Sequence, residues 1–201
     1  MRRTAFLVLL GAVALAACDG STSLQGNGDG VTETRTVADF DAVDADNGVR
    51  VFLAVDPNAT GEVVLEVTTD SNLQEFLTTK VSGGRLTVTA NRVGGIRPTQ
   101  GFEVSGTVAA MEDVSVDNGA RVEVTGSVGS ATLSADNGAH LDAGAFEAAT
   151  VEVDADNGAQ VTVCATEEVS GEVTNGADLT VLCGGSMRVN SSDGGRVSSS
   201  P

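Results

Sequence analysis

The sequence predicts an all-β protein, a right-handed parallel β-solenoid with coils of about 19 residues, on three observations. From residue 37 onward, stretches such as RVEVTG (121–126) alternate apolar and polar residues with the period of a strand. The triplet Asp-Asn-Gly stands at 46–48, 117–119, 136–138 and 156–158, where a shuffled chain of this composition would hold about 0.1 copies. Apolar residues also keep fixed places about each turn glycine, so the triplet belongs to a larger repeating unit.

The chain opens on MRR and an apolar run, AFLVLLGAVALAA (5–17). That run is too short for a bilayer core of about 30 Å and suits a secretory signal, residues 1–17. It ends in LAAC (15–18), which looks like the lipobox of bacterial lipoproteins and implies cleavage before Cys18 and lipidation of its sulfur. Asp19 follows, in the place of an inner-membrane retention signal, though that rule varies between lineages. Residues 18–36 are Gly, Ser, Thr and Asp with little apolar content and read as a lipid-anchored flexible linker spanning roughly 23 Å. The expected address is the bacterial cell envelope, as a membrane-anchored lipoprotein on the periplasmic face or the outer membrane.

The charge narrows the partners. The formal net charge is −17, and loss of Arg2 and Arg3 with the signal takes it to −19, since no acid goes with them. Lys80 is the one lysine. Nucleic acid and anionic headgroups need a positive surface and are excluded as expected partners.

Residues 37–201 are expected to form one domain. In its first portion, 37–105, VRVFLAV (49–55), EVVLEVTT (62–69) and RLTVTA (85–90) read as strands. SNLQEFL (71–77) reads as one short helix, capped by Ser71 or Asp70, with Leu73, Phe76 and Leu77 on one face. SGG (82–84) reads as a hairpin turn. There is no Trp or Tyr, so Val, Leu and Ala must build the core, which suits narrow layers between sheets.

The second portion, 106–197, holds the repeats. Its structural corners are Asn118–Gly119, Asn137–Gly138, Asn157–Gly158 and Asn175–Gly176, and Asn47 with Gly48 forms an early copy. Five and three residues before the glycine stand Val114/Val116, Leu133/Ala135, Val153/Ala155 and Gly171/Val173. Three and five after it stand Val122/Val124, Leu141/Ala143, Val161/Val163 and Leu179/Val181. An antiparallel meander would close each Asn-Gly as a hairpin; a solenoid would stack like on like at about 4.8 Å. The second corner of each repeat varies in length while the Asn-Gly corner stays fixed. Stacked corners keep their identity through amide-to-amide bonding, so the solenoid is favoured.

The order FDAVDADNGVRVFLAV (40–55), TTDSNLQEFLTTKVSGGRLTVTA (68–90), then a run of Asn-Gly-Ala corners resembles the head GIN domain family, described as auto-transporter adhesin heads. The resemblance spans roughly residues 36–197. In that family the corner is more often Ser-Gly-Ala or Gly-Ser-Gly; Asn-Gly-Ala departs in side chain but not in turn type. The resemblance implies a right-handed β-helix-like solenoid and an adhesive role. No catalytic residues come with it.

Asp117, Asp136 and Asp156 would stack as carboxylates about 5 Å apart, repelling by roughly 1 kcal/mol in water. Either they splay into solvent and accept local N–H groups in Asx-turns, or Ca²⁺ bridges them. The structural corner is favoured, because the spacing matches neither the EF-hand loop nor the calcium-binding nonapeptide repeat. His140 stands alone beside Arg121 and Gln160, no GxSxG, HExxH or CxxC motif is present, and sugar-cleaving sites usually offer Trp or Tyr. Cys164 and Cys183 fall in adjacent coils, close enough for a disulfide in an oxidising envelope, although a one-residue offset opposes it. The expected function is a non-enzymatic adhesin or binding scaffold without a cofactor. Its partners would be the membrane, through the N-terminal lipid, and a protein or glycan ligand, with self-association left open. A calcium-binding or sensing envelope module is the alternative, and a polysaccharide-active enzyme ranks last.

Overall fold

The structure, a computed structural model, describes residues 23–91 and 94–200 of the chain. The signal sequence, the lipobox and Cys18 lie outside the described residues.

The first portion contributes β1 (Leu24–Gln25), β2 (Gly30–Val37), β3 (Ala42–Asp46), β4 (Arg50–Val55), β5 (Val63–Asp70), β6 (Leu77–Ser82), β7 (Arg85–Ala90), β8 (Ile96–Arg97) and β9 (Glu103–Val108). The second contributes β10 (Asp113–Val116), β11 (Arg121–Ala135), β12 (His140–Ala155), β13 (Gln160–Val173), β14 (Asp178–Leu182), β15 (Ser186–Ser191) and β16 (Arg196–Ser199). β1 and β8 form a two-stranded parallel pair, and the other fourteen strands form one sheet.

That sheet is mixed and nearly closed, barrel-like, and overturns the expected right-handed parallel β-solenoid. The departure lies in residues 30–108. β2 runs antiparallel to β5, β5 antiparallel to β9, and β6 antiparallel to β7 through the turn at Gly83 and Gly84. A 19-residue period cannot describe this half, because hairpin-type pairing reverses the chain inside it. The repeats of the second portion do pair in parallel and in register: Val122 lies beside Leu141, Leu141 beside Val161, Leu133 beside Val153. β11, β12 and β13 are long because each pairs through one half before the variable corner and again after it. The β12–β13 register slips between Ala143 and Glu147, where Phe146 fills the core.

Two further expectations change. The helix expected over 71–77 is a single 3-10 turn, Gln74–Phe76, with no side-chain cap; Leu73 and Leu77 are buried beside it. Too few residues separate the two strands for an α-helix to form. Residues 24–25 and 30–36, read as tether, carry β1 and all but the last residue of β2 instead. β2 is an exposed strand held by eight backbone register pairs to β5, so it needs little apolar content.

One continuous core fills the interior, built from Val, Leu and Ala with Phe40, Phe102 and Phe146. The apolar positions about each corner are buried, from Val43 and Val51 through Leu179 and Val181. The residue after each corner glycine is a fully buried small one, Val49, Ala120, Ala139, Ala159 or Ala177. Gly171, in the place of a core Val or Leu, is required by its φ of 129° and by crowding: a Cβ there would stand 1.9 Å from the Val153 carbonyl oxygen.

Candidate binding faces

The corners come first, because they set the register of everything outward-facing. Asn47, Asn118, Asn137, Asn157 and Asn175 all have left-handed φ, between 46° and 61°. The glycine after each of them, Gly48, Gly119, Gly138, Gly158 or Gly176, is left-handed too. Ala120, Ala139 and Ala159 close their turns by donating to the carbonyls of Asp117, Asp136 and Asp156, and Ala177 closes the Asn175–Gly176 turn on the Thr174 carbonyl. The five glycines have nothing within 4 Å of a notional Cβ. Their φ demands glycine, not their space. Gly119, Gly138 and Gly158 then donate to the carbonyls of Asn137, Asn157 and Asn175, so the corners form a main-chain column.

Side chains make a second column. Asn118 Nδ2 donates to Asp46, Asn137 to Asp117, and Asn157 to Asp136, each at 2.8 Å; Asn175 donates to Asp156 at 2.7 Å. The same carboxylates accept the backbone N–H of the Asn that follows them. Thr174 Oγ1 also donates to Asp156 at 2.7 Å. Donation by Thr174 and Asn175 holds the Asp156 carboxyl below its ordinary pKa. Asp117, Asp136 and Asp156 thus act as acceptors within an amide ladder. Among the described residues no group of three His, Cys, Asp or Glu side chains is placed to hold a metal ion.

Two outward faces result from this register. On the first, Arg50, Arg121, His140, Gln160 and Asp178 stand side by side on β4, β11, β12, β13 and β14. Partial burial, then the charge of Arg121, lowers the His140 pKa, with Asp142 opposing. A depression of about 610 Å³ opens beside this row, lined by Phe52, Val64, Glu66, Ser105 and Glu123 among others. The second face is acidic and hydroxyl-rich. Asp113, Thr132, Glu152, Ser170 and Arg188 form one row, and Ser115, Ser134, Asp154, Glu172 and Asn190 the next. Arg85 clamps its edge, donating to Asp44 at 2.7 Å and Asp113 at 2.6 Å.

Cys164 and Cys183 are joined by a disulfide with Cα atoms 5.2 Å apart. The parity obstacle is removed by the backbone. Leu182 is the register partner of Cys164, and Cys183, just past the strand, adopts φ 68°.

Asp70 gave no functional signal in the sequence. It is fully buried, and its carboxylate accepts N–H groups from Gly28 at 2.7 Å, Thr99 at 2.8 Å and Gln100 at 3.1 Å. Burial alone would raise its pKa; the amides of Gln100, Thr99 and Gly28 outweigh it and hold the carboxyl below its usual value. Asp70 thereby pins the N-terminal strap to the 98–101 loop. A Cβ on Gly26 would stand 2.4 Å from its Oδ2, so the strap must pass close.

Residues 100–185 match the family described as "Putative auto-transporter adhesin, head GIN domain". No curated protein matches the chain. A solved "putative adhesin" from Bacteroides fragilis NCTC 9343 is 13% identical, with 88% of this chain and 99% of that chain covered and a TM-score of 0.54. That likeness is one of fold. A "putative lipid binding protein" from Parabacteroides distasonis ATCC 8503 is 15% identical over 90% of this chain and 100% of its own, with a TM-score of 0.43. A "putative adhesin" from Parabacteroides merdae ATCC 43184 is 14% identical over the same shares, also with a TM-score of 0.43. Among the described residues no helix is long and apolar enough to cross a membrane, which says nothing of β-barrels.

Proposed function

We propose that this chain, whose residues 100–185 match the head GIN domain family, is a non-enzymatic binding module of the bacterial cell envelope, carried by a lipid on Cys18. The observation that carries the reading is the pair of broad outward faces on which polar side chains repeat in register from strand to strand. Such rows suit an extended partner that makes modest contacts with each strand. The partner is a surface protein or glycan met outside the membrane.

The family's description as an adhesin head supports the same reading. So does the site chemistry: the register neighbours of His140 are Arg121 and Gln160, neither of them a nucleophile. Lipid attachment is supported by the LAAC segment at 15–18.

Two measurements test the proposal. In the native host, labelled palmitate should enter the wild-type chain and not Cys18→Ala; equal labelling removes the anchor. Beads coated with the chain should adhere to envelope or host-surface extracts above albumin-coated beads, and adhesion no better than albumin removes the binding function.

A further inference from the structure

The first face holds a constellation that the binding reading above leaves unused, and a ligand for it rests on that reading. Phe40, Phe102 and Phe146 are buried, and Phe76 packs against the core. Phe52 does neither. It is half-buried, on the outward side of β4 between the buried Val51 and Leu53, and lines the 610 Å³ depression. Its register partners are Glu123 on β11 and Ser105 on β9, and Glu66 on β5 lies beyond Ser105. An aromatic ring is therefore flanked by one hydroxyl and two carboxylates, all lining the same hollow.

Two residues back along the same strands stand Arg50 and Arg121, in register with each other. Like charges directly across a strand pair are unfavourable. Arg35, Arg85, Arg188 and Arg196 each rest on a carboxylate. Among the described residues, the Arg50 and Arg121 guanidinium groups, like that of Arg97, make no hydrogen bond or ion pair, although Glu103 on β9 is the register partner of Arg50 on its other side. This is so in a chain with 28 acidic residues and 11 basic ones. Two guanidinium groups free of ion pairs, beside the one described aromatic outside the core, suit an anionic group joined to a flat, partly apolar body.

We propose that this face binds a carboxylate-bearing pyranose, the acidic sugar unit of a glycan. The C–H face of the ring lies on Phe52, where one aromatic side supplies apolar area and orientation. The ring hydroxyls donate to Glu66 and Glu123 and bond with Ser105. The sugar carboxylate reaches the Arg50–Arg121 pair, about 6.6 Å away along the strands, and takes their fork of donors. An apolar segment laid here would leave those charges desolvated and unpaired. A lysine-rich peptide would meet the two arginines as like charges. Carboxylates distant from the hollow are screened beyond about 8 Å at physiological ionic strength; Glu66, Glu103 and Glu123 stand nearer and oppose the anion, so the Arg50–Arg121 pair must outweigh them.

The test titrates the full chain with methyl glucuronide, methyl glucoside and tetralysine, read by calorimetry or chemical-shift change. The uronide should bind several-fold tighter than the glucoside. Phe52→Leu, which keeps apolar bulk, and Phe52→Ala should both weaken the uronide at least tenfold. The double change Arg50→Gln with Arg121→Gln should bring the uronide down to the glucoside's affinity, and Glu167→Gln, exposed and in neither face's rows, should change nothing. Equal binding of uronide and glucoside, binding of tetralysine in their place, or a Phe52→Leu variant that binds as wild type would each overturn the site. Beads that adhere while the uronide fails to bind would sink this site and leave the broader reading standing. A uronide that binds while beads adhere to nothing would do the reverse.

Discussion

Replacing Gly138 and Gly171 by alanine, one at a time, sets a glycine required by its φ alone against one required by a positive φ, 129°, and by crowding together. At Gly138 the backbone is left-handed, φ 71°, and a Cβ would touch nothing within 4 Å. The cost is conformational alone. A side chain in the left-handed region costs about 1–2 kcal/mol, and stiffening of the unfolded chain by alanine offsets a few tenths of that. The net loss is about 1 kcal/mol, or about 2–4 °C in Tm for a domain of this size. At Gly171 a Cβ would stand 1.9 Å from the Val153 carbonyl oxygen and 2.8 Å from its carbon. Backbone atoms of the paired strand cannot swing aside as a side chain can, so β12 and β13 must part and ladder bonds are lost. That loss reaches on the order of 4 kcal/mol, the exceptional end of single substitutions. The assay is thermal and urea unfolding of the disulfide-bonded chain, with Gly138→Asn as a control. Asn tolerates left-handed φ, so it should cost less than Ala. Equal losses for the two alanine variants, or a Gly138→Ala protein as stable as wild type, would refute the account of the corners.

Removing the disulfide with Cys164→Ser and Cys183→Ser should cost about 3 kcal/mol from the loop it closes, and hydrogen exchange should quicken first over β14–β16, which hang from that side of the sheet. Asp70 has a folded pKa below its unfolded value, so its stabilisation is complete above about pH 4 and lost as pH falls through the folded pKa. Melting temperature should drop over that acid range in wild type, whereas Asp70→Asn should begin lower and change less, and a parallel fall in both would refute the role. Because the corner carboxylates already accept Asn amides, millimolar Ca²⁺ or a chelator should leave Tm essentially unchanged. A clear rise on adding calcium would overturn that assignment.

Legibility ahead of the structure tracks local necessity. Asn-Gly at a corner, with apolar residues at fixed offsets, has few ways to fold, so the corners from Gly48 to Gly176, their stacking and the buried positions from Val43 to Val181 were legible. The pairing of residues 30–108 was not. β2 keeps its place through backbone bonds to β5 and shows mainly Thr and Glu outward, so no hydrophobic alternation announces it. Asp70 read as a helix cap because its true donors, Gly28, Thr99 and Gln100, lie 29 to 42 residues away in sequence. The depression around Phe52 needed the meeting of β4, β5, β9 and β11, which no single stretch encodes.

The lengthwise bonding of β2 to β5 has a mechanical side. A chain held from its N-terminal end and tugged along the axis of β2 would load its eight register pairs together, in shear, and not peel them one at a time. The β1–β8 pair, and after it the Gly28 amide on Asp70, lie ahead of that seam and would feel the pull before it. A polar strip that looks like slack rope is thus tied as a lashing, able to pass tension into the body of the sheet before anything in the interior gives way.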